Sequence, residues 1–527
     1  MTDEWDAVII GGGAAGLSAA QMLGRSRRRT LVIDGGMPRN RFAAHMHGVL
    51  GHDGVDPADL IERGRAEARA YGVEFVKGAV AGLTDDDDRI RVHRTDGVVH
   101  TARAVIIASG VRDELPAVPG LEGEWGTRVL HCPYCHGWEV AGTRLAVLAT
   151  SPMSAHQVQL VRQLSDDVIA FTATAEPWSE DLVARFAARG IRVVSAGVAR
   201  VVPGEDGLTV VTEDGTEHVV DAIFTAGAPV LNLGFAASLD LARAETPGAP
   251  LAVDLTGATS HRRVFAAGNV IAPFANVPVS MGSGSMAGAG VNARLTEEDF
   301  DLAVAERTAA RNAAWDARYA AEDRVWSGRV NASMAAIVSD LEPGSALDVG
   351  SGEGGDVLWL AEQGWQATGV DVSPTAVARA SRLAAERGLS ARFVAGDGVG
   401  RIDEQFDLVL ASFLHSWEAD FPRVRLLRDA AGRVAPGGRL LVLSHAAPPP
   451  WARDLHDRAP LLRTPDEELA LLDLDPAEWQ AEVVEIRARE ATAPDGGAAH
   501  LEDGILLLLR RGDRDPRPAR AGRATRG

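Results

Sequence analysis

The chain has 527 residues, which at roughly 150 per domain is about three or four domains. Its 46% hydrophobic and 24% charged residues are the balance of a globular protein with a sizeable core, and a net charge of −20 argues against a nucleic-acid partner. The two cysteines exclude a disulfide scaffold and a four-cysteine zinc site; with no run of about 18 apolar residues, no membrane span is expected either.

The N-terminus, Met1 to Asp6, is acidic and lacks the basic and apolar regions of a signal peptide, so a cytoplasmic location is the expectation. An apolar strand, Ala7–Ile10, leads into the turn Gly11-x-Gly13-Ala14-x-Gly16 and then a helical pattern. A second strand, Thr30–Ile33, ends at Asp34. Further strands are predicted at Ala104–Ala108, Leu145–Leu148, Val168–Phe171 and Val264–Ala267. Strands alternating with helices predict an α/β architecture with parallel sheets. Residues from about 296 to 330 read as a polar helical connector, and a second strand–glycine–helix unit begins at Ala346. The tail from Gly512 has no apolar periodicity and is expected to be disordered. The run Asp85–Asp88 reads as a solvated turn.

The first turn carries a dinucleotide pattern. Gly11 permits the tight turn, Gly13 lets the backbone approach a pyrophosphate, and Gly16 lets helix and strand pack closely. The helix N-terminus then faces the phosphates, and Asp34 can accept a ribose hydroxyl. The second motif is Cys132-Pro133-Tyr134-Cys135-His136. Covalent haem is disfavoured without an export signal, zinc would crowd adjacent ligands into one short loop, and two plain buried cysteines are the bland alternative. A redox-active dithiol fits best, with His136 to stabilise a thiolate or move its proton. The histidines His45, His47 and His52 read as packing and hydrogen-bonding groups, and no metal site is expected.

Over roughly residues 5–300 these motifs resemble the low-molecular-weight thioredoxin reductase family, together with Ala108-Ser109-Gly110 and Ala267-Gly268-Asn269. The resemblance implies two Rossmann-like nucleotide-binding domains. FAD would be held by 1–112 and 230–300, through the Gly11–Gly16 turn, Gly110, Gly268 and Asn269, with Arg39 and Asn40 touching its adenosine half. The inserted domain, 113–229, would carry the dithiol, with Cys135 facing the flavin and Cys132 exchanging with the substrate sulfur. The family also implies a homodimer through the flavin half.

Four departures bear on direction. The segment Ala149–Ala155 lacks the glycines of the family's NADPH turn, and Pro152 removes a backbone donor. The segment Thr172–Pro177 lacks the paired arginines that grip a 2′-phosphate, which leaves NADPH doubtful. His136 stands where reductases carry an acid, and Asn269 where they carry an aspartate. Cys-x-x-Cys-His without an NADPH turn is similar to the small-molecule dithiol oxidases of epidithiodiketopiperazine and dithiolopyrrolone pathways. A small-molecule dithiol or disulfide is then the expected partner, with oxygen as electron acceptor. An NADPH-driven disulfide reductase and a flavin redox sensor that regulates methylation are the alternatives.

The third motif is Leu347-Asp348-Val349-Gly350-Ser351-Gly352-Glu353-Gly354, followed by Asp371 after the next strand and Asp397 after a third. Phe406–Ala411 and Gly438–Leu443 read as a fourth and fifth strand. This order resembles the class I S-adenosylmethionine-dependent methyltransferases. It implies a lid and connector over 301–330, a Rossmann-like catalytic domain over 331–511 and a tail over 512–527. The cofactor would lie against Asp348, Gly350 and Gly352, with Asp371 on its ribose and Asp397 on its adenine. Trp315, Tyr319 and Trp326 resemble the lid of thiopurine and tellurite methyltransferases, which act on soft nucleophiles, with simple helix packing as the alternative. His415 and Trp417 are expected near the acceptor pocket.

Overall fold

The computed structural model describes residues 4–172, 178–414, 416, 418, 420–451, 462–493 and 497–512. His415, Trp417, most of Thr172–Pro177 and nearly all of the expected tail lie outside them. The chain divides into two compact units, Met1–Asp301 and Leu302–Gly527.

In the first unit a parallel sheet runs in the order Glu74–Lys77, Thr30–Asp34, Glu4–Ile10, Val99–Ile107 and Val264–Ala266. Its strands are apolar on both faces because both are covered: Val8, Ile10 and Ile107 enter one cluster, Ala7, Ile9 and Ile106 the other. The hairpin Val80–Asp86 and Arg89–Arg94 extends the sheet; its turn is Asp87–Asp88, with Asp87 in the left-handed region at φ 57°, while Asp85 and Asp86 of the expected turn are paired in the strand. A second parallel sheet orders Arg192–Val194, Val168–Phe171, Leu145–Leu148, Ala222–Thr225 and Val129–Leu130. The antiparallel pair Val111–Glu114 and Ala228–Leu231 is the two-way crossing between these sheets.

The connector helix is longer than the sequence suggests. It spans Val277–Ala321, starting about 20 residues earlier than expected. Its first part is rich in Gly and Ser, and each glycine weakens an isolated helix by about 1 kcal/mol. Here the glycines permit contact. A Cβ at Gly284 would meet the Ala15 carbonyl at 2.0 Å, and one at Gly288 would meet that of Ala19 at 2.8 Å.

The second unit is one open sheet in the order Ala391–Ala395, Gln366–Asp371, Ser345–Val349, Phe406–Ser412, Val434–His445, Ala498–Arg510 and Trp479–Thr492. The first five strands are parallel and the last two antiparallel. In register, Val349 lies beside Val370, and Asp371 beside Ala395. Three strand ends, and the residues that follow them, therefore meet at the carboxyl edge, where open α/β sheets bind ligands.

Candidate active sites

At the first turn the chain crowds every side but one. A Cβ on Gly11, itself at φ 108°, would strike the Ala108 carbonyl at 2.3 Å, and one on Gly16 the Gly11 carbonyl at 1.8 Å. A Cβ on Gly13 would meet no described atom within 4 Å. Gly13 is the N-cap of the helix Ala14–Arg25, so the open side is also the positive end of a helix dipole. Asp34 accepts from the Gly12 N–H at 3.1 Å and pairs with Arg65. Gly110 and Gly268 adopt positive φ, and the Gly268 N–H donates to Ser283 at 2.9 Å. Asn269 donates its side-chain amide to the carbonyls of Ala272, Pro273 and Ala275, ordering that loop. Arg39 forks onto Asp113 and donates to the Pro273 carbonyl at 2.6 Å, so its described partners are protein groups. Asn40 accepts from the Ala43 N–H within its turn.

Cys132 and Cys135 form a disulfide across one short helix, Pro133–His136. Cys132 is its N-cap and Pro133 opens it with a φ already suited to a helix. Gly137 closes the turn where a Cβ would strike the Pro133 carbonyl at 2.2 Å and the Leu164 side chain at 2.4 Å. His131 stacks on Phe274 at 6.5 Å, and its carbonyl accepts from Gln157 at 2.8 Å. Both ring nitrogens of His136 are buried without a hydrogen-bond partner among the described residues. Burial pushes its pKa below 6.5, opposed by the charge of Glu139 and aided by His47. A neutral, unpartnered imidazole beside a disulfide is arranged to take a proton from a thiol.

In the second unit Gly350, Gly352 and Gly354 all have positive φ. A Cβ on Gly352 would meet the Tyr319 hydroxyl at 2.9 Å and the Trp326 ring at 3.4 Å. Trp326 donates its ring N–H to that hydroxyl at 2.8 Å, and the Glu353 carboxylate accepts from the backbone N–H groups of Val325 and Trp326. Trp315 lies 6.2 Å from Tyr319. Tyr319 and Trp326 of the connector thus sit on the glycine turn. Asp371 accepts from the N–H groups of Gly352 and Ser373. Asp348 is fully buried, and its Oδ1 has no partner among the described residues. Burial first, then the charges of Asp356 and Asp371, push its pKa well up. Burial also raises Asp356 and Asp371, and it drives Tyr319 up to about 12. Asp397 is exposed just beyond the adjoining strand.

Residues 5–284 match the family described as pyridine nucleotide-disulphide oxidoreductase. The chain belongs to that family. Residues 346–438 match a methyltransferase domain, so a disulfide oxidoreductase is fused to a methyltransferase. Thioredoxin reductase tcpT of Claviceps purpurea is 32% identical over 54% of this chain and 92% of its own length. Thioredoxin reductase sirT of Leptosphaeria maculans is 31% identical over 56% of this chain and 96% of its own. The crystal structure of HlmI superposes with a TM-score of 0.54 at 40% identity, over 58% of this chain and 97% of that one.

The oxidoreductase family implies FAD, and a methyltransferase implies S-adenosylmethionine. The open side of Gly13 at a helix N-terminus fits a pyrophosphate. The buried carboxylate cluster of the methyltransferase fits a ligand carrying ammonium and sulfonium charges, which would relieve the repulsion on Asp348. Among the described residues, no helix of this oxidoreductase–methyltransferase is long and apolar enough to cross a membrane.

Sequence reasoning missed several groups. In the turn after Leu145–Leu148, the Ser154 hydroxyl accepts from the N–H groups of Thr150 and Ser151 at 3.0 and 3.3 Å. A serine near a helix start was visible, but which amides it would take was not. His47 was expected to pack and hydrogen-bond, but its partners, Asp53 and Glu139, were not foreseen. Glu353 stood in the glycine motif and opened the Glu353–Leu360 segment that resembles thiopurine and tellurite methyltransferases, but its hold on Val325 and Trp326 was not foreseen.

Proposed function

We propose that the oxidoreductase half oxidises a small-molecule dithiol to a disulfide and passes the electrons by way of FAD to oxygen, and that the methyltransferase half methylates a thiol or another soft nucleophile. The observation that carries the direction is the closed turn at Thr150–Ser154. The amides that a nicotinamide nucleotide's phosphates would need are taken by Ser154, which is itself buried. The exposed side chains Tyr134 and Trp138, one on each side of Cys135 and His136, suit a small apolar partner.

In this reading a substrate thiolate attacks Cys132 Sγ, the Cys132–Cys135 bond breaks, and Cys135 leaves as a thiolate. The second substrate sulfur then closes the product disulfide and expels Cys132. His136 accepts a thiol proton on a ring nitrogen. FAD supplies a two-electron acceptor, and the Gly11–Gly16 turn and the Gly268 segment hold it. S-adenosylmethionine supplies an electrophilic methyl group, and Asp348, Asp371 and Asp397 hold its polar parts while Tyr319 and Trp326 cover the turn. A thiolate acceptor needs no general base, since its lone pair attacks directly. A dithiol could thus be closed by one half or capped by the other.

The relatives named as thioredoxin reductases favour a second reading, an NADPH-driven reductase. Anaerobic stopped-flow mixing with NADPH, NADH and dithiothreitol separates the two. Bleaching of the flavin by dithiothreitol alone, with recovery in oxygen, is the expected result. Rapid bleaching by NADPH would replace the oxidase with the reductase.

A further inference from the structure

The apolar rows of the second unit's sheet end in polar groups at its carboxyl edge. On one face Ala346, Leu410, Leu443 and Ile505 belong to a single core cluster. Side chains alternate along a strand, so the same face, two positions nearer that edge, carries Asp348, Ser412, His445 and Asp503. Asp348 belongs to the cofactor turn described above. His445 closes the strand Val434–His445, two strands away in the sheet.

Phe413 and Leu414 connect the two. If the strand continued past Ser412, the Phe413 side chain would face the other side of the sheet. Phe413 adopts instead the left-handed conformation at φ 54°, which is costly for an aromatic residue, and its N–H still donates to the Leu443 carbonyl at 2.8 Å. Its ring lies 4.5 Å from that of His445. Leu414 reaches the cofactor turn, where a Cβ on Gly350 would meet its Cδ1 at 2.9 Å. Asp503, opposite His445 in the strand pairing, accepts from Arg489 at 2.7 Å and from Ser333 at 3.0 Å. Arg423 pairs with Glu468 and donates to the Leu414 carbonyl. In both ion pairs the arginine is the more exposed member, at 25% and 12% against 0% and 2% for the carboxylates, so a ligand at this edge meets the positive ends first. Burial, then the charges of Arg489 and Arg423, lowers the His445 pKa to about 4, so its ring is neutral at neutral pH and carries one N–H donor.

We propose that Phe413 and His445 line the methyl-acceptor site, and that with Arg423 and Arg489 they select an acceptor that arrives as an anion. The site rests on the thiol-methylation reading above, in which that anion is a thiolate. The thiolate lone pair forms the bond to the methyl carbon as the methyl–sulfonium bond breaks, and the released electron pair stays on the sulfur of S-adenosylhomocysteine. The negative and positive charges cancel, and no proton moves in the step. The His445 N–H donates to the thiolate and holds it beside the Phe413 ring, while the arginines act through their field.

The test uses the flavin-loaded full chain with S-adenosylmethionine and two acceptor probes: thiophenol, largely ionised at neutral pH, and β-mercaptoethanol, largely protonated there. S-adenosylhomocysteine should form faster with thiophenol. His445→Phe keeps a ring but loses the donor, so kcat/KM for thiophenol should fall on the order of 10-fold, the scale of one hydrogen bond to a charged group. His445→Asn keeps an N–H and should recover most of that loss. Phe413→Gly suits the left-handed backbone, so it should fold and still raise KM for thiophenol. S-adenosylmethionine affinity by calorimetry should stay unchanged in all three variants. Without S-adenosylmethionine, equilibrium dialysis reads the site apart from turnover. The wild type should hold para-nitrophenolate more tightly than the neutral para-nitroanisole, and His445→Phe should reduce that preference. Unchanged kinetics and anion binding in His445→Phe and Phe413→Gly would overturn the site, and so would a loss of rate matched by weaker S-adenosylmethionine binding. If the wild type methylates neither thiol, the thiol reading fails. The dialysis then decides alone, and equal binding of para-nitrophenolate by the wild type and His445→Phe overturns the site.

Discussion

The first unit contains two strand–turn–helix elements of the same topology, and they treat their backbone amides in opposite ways. After Glu4–Ile10 the chain leaves one side of the turn open at Gly13, at the start of a 12-residue helix. After Leu145–Leu148 the chain closes the turn with its own hydroxyl, Ser154. The helix that follows, Ser154–Val161, instead supports the dithiol: Gln157 donates to the His131 carbonyl beside Cys132. A nucleotide-type fold therefore does not imply a nucleotide. What decides is whether the turn's N–H groups are offered outward or satisfied within the chain.

The largest expected effects break the open turn. Gly16→Val places a side chain 1.8 Å from the Gly11 carbonyl, which no rotamer relieves, so the purified protein should carry no flavin. Gly13→Ala meets no described atom of the chain and should fold normally. Its methyl group intrudes only on a ligand, so FAD affinity should fall by about 10- to 100-fold, the ~1–3 kcal/mol of an overpacked contact. Flavin content after dialysis distinguishes the two. Equal flavin loss from both variants, with Gly13→Ala also unfolded, would mean that the turn is merely structural.

Varying the pH separates flavin binding from dithiol chemistry. Burial holds His136 below its ordinary 6.5, so its imidazole is neutral at neutral pH and protonates only on the acid side of that value. Bleaching by a dithiol should therefore fall about tenfold per pH unit below that pKa, while the flavin stays bound. His136→Asn should lower the neutral rate and remove this dependence on the histidine. An unchanged acid limb in the variant would assign it to another group.

Closing the second turn should be worth less. Ser154→Ala leaves the N–H groups of Thr150 and Ser151 without their acceptor, at a cost of about 1–3 kcal/mol in thermal or urea unfolding. NADPH should still fail to bleach the flavin, because Pro152 continues to withhold a donor. Bleaching by NADPH in Ser154→Gly would show that one hydroxyl is the whole barrier.

What was legible in the sequence follows from the range of the interactions. The turns at Gly11–Gly16 and Gly350–Gly354 could be read because close backbone approach excludes every side chain, and that constraint acts on residues adjacent in sequence. Cys132 and Cys135 could be read because a small ring fixes their spacing. The pairing of His47 with Glu139, 92 positions apart, and that of Arg39 with Asp113 left no local trace. The start of Val277–Ala321 went unassigned, because its glycines lower helix propensity locally and their purpose lies in Ala15 and Ala19 on another helix. Tyr319 and Trp326 were visible as residues, but their seat on Gly352 depends on Glu353 and on the fold between.

The smallest expected effect concerns the glycine turn of the second unit, which carries openness furthest. Asp348, one residue before the end of its strand, is fully buried, with one oxygen unpartnered among the described residues and two further carboxylates acting on it. A carboxyl whose folded pKa is raised above 3.8 binds its proton more tightly in the folded state. Folding is then unpenalised below the unfolded pKa and loses stability as pH rises towards the folded one. Asp348→Asn removes that loss at little change in volume. Without S-adenosylmethionine, the variant should melt a few degrees higher at neutral pH, on the order of 1 kcal/mol, and the gain should vanish on acidification. The same variant should bind S-adenosylmethionine more weakly, because the carboxylate that was costly in the empty pocket is the one that meets the ligand's positive charge. A variant that melts lower at neutral pH would mean that the chain itself satisfies Asp348, which would make this turn resemble the closed turn at Ser154 rather than the open one at Gly13.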